Sequence, residues 1–236
     1  QKSDLVIRLF DVHRSKDWLQ NSNFGDLAQR LWNNGYTFDY ISDRMIANLK
    51  VDGGKLLSGK NQYKVIVIPD IECIPVETLA CLRDLAKKGA VVIFENEIPS
   101  DVPGLFDLEK KRSEIKTIRD EMMLSSSNVE VTSKIFESLA AKKVCAEEMV
   151  RKGLEFIRKQ SGDSTFYFVT NLADKFNEDW VQLNTQAKSV EIYDPVNECR
   201  GSASLRKTNR GSEIYLQLKP GQSCILTCTS EKSNTA

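Results

Sequence analysis

The spacing of apolar residues changes near residue 150, and this change constrains the fold more than any other feature of the sequence. Over the first 100 residues, apolar runs such as VVIFEN (91–96) alternate with segments whose apolar residues recur every three to four positions. After residue 150, short segments alternate apolar and polar residues and are separated by turn residues. The sequence therefore predicts an α/β part followed by an all-β part.

The first part predicts a parallel sheet with crossover helices. YKVIVIPD (63–70) is typical of a strand that is covered on both faces at the middle of such a sheet. VDGGKLLSG (51–59) predicts a turn or a small hairpin. The remaining predicted strands are residues 5–10, 36–42, 91–96 and 128–132. The predicted helices are residues 24–32, 43–49, 75–88, 108–124 and 133–144.

The second part predicts a small antiparallel β-sandwich. LEFIRKQ and STFYFVTN flank Ser161-Gly162-Asp163, which predicts a hairpin, and we expect Phe166 and Phe168 to be core residues. In SEIYLQL (212–218), Ile214, Leu216 and Leu218 share the face that should pack inward. The other strands are predicted in DWVQLN, KSVEIYD, ASLRK and QSCILTC.

These patterns predict two domains and a tail. Residues 1–145 would form an open, mostly parallel sheet of the flavodoxin or class I amidotransferase type, and residues 146–230 the sandwich. Residues 231–236 are polar and predict a frayed tail. Because the sequence begins at Gln1 and reaches an apolar strand within ten residues, we expect a piece of a longer protein.

Composition excludes several classes of function. The chain has 33 Lys plus Arg against 33 Asp plus Glu, so it has no net basic charge that would attract nucleic acid. No apolar run approaches the roughly 20 residues of a membrane helix, so we expect no membrane insertion. Six cysteines without a CxxC pair and a single histidine make a zinc site improbable, and the cysteines are expected to be mostly buried thiols. We predict no cofactor.

The predicted strand ends of the α/β part carry acidic residues, and ligands bind beyond these ends in open α/β sheets. One hypothesis is that these carboxylates form a magnesium site or an acid/base pair, because two close carboxylates bind a hard cation or raise the pKa of one of them. The alternative is that they cap helices and face solvent. No glycine follows the first strand, which disfavours a phosphate site. The candidates at the strand ends are Asp11, His13, Asp43, Asp70, Glu72, Glu95 and Glu97.

Two further sets of residues are weaker candidates. Cys73 follows the third strand and could pair with His13 as in an amidotransferase, although no glycine flanks it. Aromatic residues of the sandwich could stack on sugar rings or could fill the core. The aromatic candidates for glycan contact are Trp180 and Tyr193, with Tyr167 and Tyr215 as further possibilities.

Four phrases carry a resemblance to a known family. They are GYTFDYISDRMI (35–46), YKVIVIPDIECIPVETLACLRDLAKKGAVVIF (63–94), GLEFIRKQSGDSTFYFVTNLAD (153–174) and VEIYDPVNE (190–198). In this order they resemble the C-terminal half of α-L-rhamnosidases of glycoside hydrolase family 106, and more loosely the non-catalytic domains of family 42 β-galactosidases. Where the family hairpin has a histidine, this chain has Arg158 or Lys159.

The resemblance implies an accessory role. The family's catalytic carboxylates lie on an upstream (β/α)8 barrel, so no catalytic residue can be assigned in this chain. The implied partner is that catalytic barrel, and glycan is a second possible partner. The resemblance also implies a periplasmic or extracellular location. The alternatives left open are a stand-alone amidotransferase-like or metal-dependent enzyme, and a carbohydrate-binding module.

Overall fold

The computed structural model describes residues 19, 21–125 and 127–229. The predicted strand at residues 5–10, together with Asp11 and His13, lies outside the described residues. Two compact units are present. The first combines residues up to Gln29 with Asp39–Val144, and the second combines Arg30–Phe38 with the residues from Cys145 onward.

The elements between residues 23 and 63 are two helices and a small antiparallel sheet. The 51–59 segment, predicted as a turn or hairpin, lies inside this three-stranded sheet of order β1-β2-β3. Its central strand places Leu56 in the core of the first unit. The elements are α1 (Asn23–Asn33), α2 (Asp43–Ile46), β1 (Lys50–Asp52), β2 (Lys55–Ser58) and β3 (Asn61–Tyr63).

A parallel sheet of order β4-β5-β6 forms the centre of the first unit. The predicted strands near residues 65, 91 and 129 are confirmed, and so are the helices that connect them. The elements are β4 (Val65–Ile68), α3 (Val76–Lys87), β5 (Val91–Glu95), α4 (Leu108–Ser125), β6 (Val129–Thr132) and α5 (Ile135–Ala141).

Burial along these strands differs from the expectation for YKVIVIPD. Ile66 and Ile68 of β4 are buried, whereas Val65 and Val67 are only half-buried. The strand that is covered on both faces is β5, where four consecutive residues, 92–95, are buried. Helix α3 buries Leu79 and Leu82 against the sheet, since residues three to four apart share one helix face.

The strand predicted at residues 36–42 is wrong. The structure describes all of these residues and shows no strand among them. At the start of this region, the Tyr36 N–H donates to the carbonyl of Leu31 in α1, and the preceding Gly35 carbonyl accepts from the N–H of Glu147 at 2.8 Å. These groups close the helix and contact a distant residue instead of joining a sheet ladder.

The second unit contains two antiparallel sheets. One has the order β11-β10-β14-β8-β7 and the other has the order β12-β13-β9. A 3₁₀ helix, Glu148–Lys152, precedes them. The strands are β7 (Leu154–Ser161), β8 (Ser164–Asn171), β9 (Asn177–Leu183), β10 (Ser189–Asp194), β11 (Cys199–Ser202), β12 (Leu205–Thr208), β13 (Gly211–Leu218) and β14 (Ser223–Thr229). Strand β11 was not predicted from the sequence.

Inward-facing residues from both sheets form one hydrophobic cluster. As predicted, Ile214, Leu216 and Leu218 of β13 belong to it. The expectation for β8 is wrong: Phe168 is 40% exposed and Phe166 is half-buried, while Tyr167 is fully buried. Apolar residues occupy both faces of β8, so alternation could not decide which face packs inward.

Candidate functional site

Asp70 lies at the carboxyl end of β4, where the sequence predicts a site. Its side chain accepts a hydrogen bond of 2.8 Å from Nδ2 of Asn96, and its carbonyl accepts one of 2.6 Å from Nδ2 of Asn23. Asn96 follows β5 and adopts a left-handed conformation with φ of 60°, which asparagine tolerates better than most residues. Asp70 is therefore bonded to one amide side chain after the neighbouring strand β5 and to one at the start of α1.

Glu95 is buried at the end of β5, whereas Glu97 is exposed. Among the residues that the structure describes, no three His, Cys, Asp or Glu side chains form a group that could hold a metal ion. Within the same residues, none of the helices combines the length and apolarity that a bilayer span requires.

Cys73 is exposed beside an ion pair. It forms an isolated parallel bridge with Asp101, whose carboxylate accepts hydrogen bonds of 2.9 and 2.8 Å from Arg112. Desolvation, and then the negative charges of Asp101 and Glu72, raise the pKa of the Cys73 thiol, against the influence of Arg112. A raised pKa leaves less thiolate, which is the reactive form, so this environment does not activate Cys73 as a nucleophile.

Trp180 lies on the outer face of the β12-β13-β9 sheet, opposite Tyr215. The two ring centroids are 5.6 Å apart, and the Arg206 guanidinium carbon lies 4.1 Å from the centroid of the Trp180 ring. Glu178 accepts hydrogen bonds from the Tyr215 hydroxyl and from Gln217. Arg206 thus occupies a face of the indole that a sugar would need for stacking.

Tyr193, the second predicted glycan contact, has the Arg200 guanidinium carbon 4.9 Å from its ring centroid. It belongs to a group that we call the apolar row, which crosses the outer face of the five-stranded sheet. Sequence reasoning missed the row because it depends on strand pairing and not on local spacing. Its members are Ile157, Phe168, Ile225 and Tyr193.

A buried carboxylate, Glu147, forms the most concentrated polar network of the second unit. Its side chain is 1% exposed and accepts hydrogen bonds from Arg158 Nη1 at 2.6 Å, the Tyr167 hydroxyl at 2.9 Å and the Asn184 N–H at 3.0 Å. Burial, and next the charge of Glu147, raise the pKa of Tyr167. The oxygens of Glu147 are already bonded to groups of the chain, so this carboxylate is poorly placed to react with a substrate, and removal of one partner would leave a buried charge unpaired.

The same network holds the segment Arg30–Phe38. Arg158 Nη2 donates a hydrogen bond of 2.7 Å to the Thr37 hydroxyl, and the Glu147 N–H donates to Gly35. Gly35 has φ of +81°, and a Cβ atom there would lie 2.3 Å from the Glu147 carbonyl oxygen. Arg158, one of the two residues offered for the position of the family histidine, thus has a structural role in this chain.

Comparison with known proteins gives a consistent result. Residues 20–204 match the sequence model of glycoside hydrolase family 106, which is described as alpha-L-rhamnosidase. A Formosa agariphila protein named "Putative beta-glucuronidase" is 26% identical over 164 residues, covering 67% of this chain and 14% of that protein.

Two solved structures are also similar. The rhamnosidase from Novosphingobium sp. PP1Y superposes with a TM-score of 0.72 at 17% identity, over 84% of this chain and 20% of that chain. A family 42 exo-carrageenase from Bacteroides ovatus gives a TM-score of 0.42 at 10% identity, over 89% of this chain and 27% of that chain. The first similarity shows a shared fold, and the second is too low to support an argument. The chain spans a small part of each of these proteins.

Proposed function

This chain belongs to the alpha-L-rhamnosidase family of glycoside hydrolases, and from that premise we propose that it is a non-catalytic accessory region of such an enzyme. In this role it supports the catalytic part of a longer glycosidase or shapes the cleft that receives the glycan. The chemistry of glycosidic cleavage requires two carboxyl groups placed on either side of the bond. We propose that these groups come from another part of the parent protein.

The observation that carries this proposal is the extent of the similarity. The match to the family runs over residues 20–204, yet the aligned region makes up only 20% of the similar rhamnosidase structure. This extent supports the proposal that the chain corresponds to one section of a longer enzyme. We propose a (β/α)8 barrel in the remaining part as the catalytic partner.

The state of two predicted candidates, Asp70 and Cys73, supports the same proposal. Asp70 is bonded to Asn96, and the Cys73 thiol, beside the Asp101–Arg112 ion pair, has a raised pKa. A stand-alone amidotransferase would need the opposite condition, a thiol whose pKa is lowered by a neighbouring base. These groups are better explained as parts that stabilise the sheet edge.

We also propose the finer fold assignment. The parallel order β4-β5-β6, with helices between the strands, is compatible with a flavodoxin or class I amidotransferase type of sheet. The two antiparallel sheets that share one cluster are compatible with a β-sandwich.

The experiment that tests the proposal is a turnover assay of the purified chain on aryl α-L-rhamnosides and aryl β-galactosides. We expect no hydrolysis above the uncatalysed rate, and we expect the longer protein encoded by the same reading frame to hydrolyse one of these substrates. Hydrolysis by the isolated chain at a rate typical of enzymes, about 1 s⁻¹ or more, would contradict the proposal.

Substitutions separate the alternatives. If the chain were an enzyme working through its strand ends, Cys73→Ala or Asp70→Asn would abolish the activity of the isolated chain. If the activity belongs to the catalytic part of a longer protein, neither substitution changes the rate constant of the chemical step there. Thr117→Ala, at an exposed position on α4, serves as the matched control for each variant.

A further inference from the structure

The apolar row lies on an outer sheet face where Ile157 and Phe168 are exposed, while Ile225 and Tyr193 are half-buried and Arg200 lies over the Tyr193 ring. In the five-stranded sheet Ile157 pairs with Phe168, Phe168 with Ile225, and Ile225 with Tyr193. Residues that pair directly across antiparallel strands point to the same face, so the four side chains lie side by side. With strands about 4.8 Å apart, the row extends over roughly 14 Å.

These side chains point away from the core. Ile157 is 61% exposed and Phe168 is 40% exposed, while Tyr167, one position along β8, is fully buried. The inner face is therefore already filled by the cluster of the second unit. An outer face with isoleucine and phenylalanine at this exposure leaves apolar area in water that a partner could cover.

Polar residues flank the row on both sides, except at Phe166, which is half-buried beside it. Thr170 and Ser223 pair along one side, and Thr227 lies along the other between Phe166 and Glu191. Arg200 lies beyond Tyr193 at the end of the row. An apolar centre inside a polar rim is the usual composition of a protein interface.

We propose that the apolar row is the surface through which this chain docks onto the catalytic part of its own parent glycosidase. This inference rests on the proposed function. The partner surface is an apolar patch with a polar rim, because a charged surface would lose solvation against Phe168 and Ile157 without gaining a partner.

Size favours a partner in the same polypeptide over a second copy of this chain. A stripe about 14 Å long and one or two side chains wide is far smaller than the roughly 800 Å² per partner that stable independent complexes bury. A covalent connection supplies an effective concentration in the millimolar range, so a small contact is sufficient. The similar rhamnosidase extends well beyond the aligned 20%, which leaves ample chain to provide such a partner.

Alkylation of an introduced thiol tests the proposal directly. Ile157→Cys is prepared in the isolated chain and in the full-length parent, and the rate of maleimide labelling at that position is followed by peptide mass spectrometry. The control is Asp163→Cys, which places the thiol at the exposed tip of the same hairpin. We expect Ile157→Cys to react at least about tenfold more slowly in the parent, and Asp163→Cys to react equally in both, since access controls the rate.

A second measurement guards against a folding defect. Each variant of the isolated chain should keep the Tm of the unsubstituted chain, because position 157 is largely exposed. Equal labelling of Ile157→Cys in the isolated chain and in the parent would overturn the proposal. Slower labelling in the isolated chain as its concentration rises would also overturn it, because the occupant would then be a second copy.

The two proposals fail in different ways. If the docking inference is wrong, labelling is equal while the isolated chain still shows no turnover. If the proposed function is wrong, the isolated chain hydrolyses glycosides or its reading frame encodes no catalytic part.

Discussion

Replacement of Gly35 by alanine tests how the segment Arg30–Phe38 is held. Gly35 has φ of +81°, in the left-handed region that costs an L-residue about 1–2 kcal/mol. The new Cβ atom would lie 2.3 Å from the backbone oxygen of Glu147, which is closer than atoms in folded proteins approach. The backbone must therefore move, and alanine cannot be accommodated by rotating a side chain.

That movement has a second cost. The 2.8 Å hydrogen bond from the Glu147 N–H to the Gly35 carbonyl would lengthen or break, and a buried donor left unpaired costs about 1–3 kcal/mol. Together with the backbone term, we expect Gly35→Ala to lower the free energy of unfolding by about 2–5 kcal/mol. The matched control is Gly162→Ala, where φ is +56° but no atom lies within 4 Å of the new Cβ.

Urea unfolding followed by tryptophan fluorescence measures the difference, because two of the three tryptophans, Trp32 and Trp180, belong to the second unit. The shift in midpoint at constant m-value gives the change in free energy. Gly162→Ala should lower the free energy of unfolding only by the cost of the left-handed backbone conformation, about 1–2 kcal/mol. If Gly35→Ala and Gly162→Ala lower the free energy of unfolding equally, within about 0.5 kcal/mol, the close approach to Glu147 adds nothing to the cost of the substitution and the reasoning is refuted.

Two further predictions concern the thiols and pH. Burial raises the pKa of Cys224 and of Cys228 to about 12, so iodoacetamide at pH 8 should leave both unmodified in the folded chain; modification of either before unfolding would contradict their burial. The Arg112 guanidinium lowers the pKa of Asp101 from 3.8 to about 2, so the ion pair stabilises the fold above pH 4 and is lost as the pH falls toward 2. The Tm difference between the unsubstituted chain and Asp101→Asn should therefore shrink between pH 5 and pH 2, and a difference independent of pH would count against the pair. In the iodoacetamide experiment, the cysteines expected to react in the folded chain are the exposed ones, Cys73, Cys145 and Cys199.

Local spacing of apolar residues is sufficient to predict a helix or strand that has a single apolar face. Helix α3 was predicted because Leu79, Leu82 and Leu85 recur at helical spacing, and β13 because its apolar residues alternate. The expectation that most cysteines are buried is wrong for Cys73, Cys145 and Cys199, which are exposed; Cys199 begins the edge strand β11, whose residues are all exposed. All six cysteines lie in the described part of the chain, and all are thiols.

Features that depend on distant residues could not be predicted in this way. YTFDYIS alternates like a strand, but the partners of this region include Glu147 and Arg158, more than 100 residues away. Nothing local distinguishes the buried Glu147 from its neighbour Glu148, which pairs with Arg210 at the surface. At the strand ends, the sequence places Asp70 correctly but does not show that its partner is an asparagine in a left-handed conformation.

The contact between Thr37 and Arg158 has a consequence for biosynthesis, because the two residues are 121 positions apart. At about 5–20 residues per second, the ribosome needs roughly 6 to 24 s after adding Thr37 before Arg158 is made. During that interval the segment Arg30–Phe38 cannot form its hydrogen bonds with Glu147 and Arg158, because neither residue has been synthesised. Nascent chains arrested before residue 158 should therefore leave this segment open to proteases, and release of the complete chain should close it.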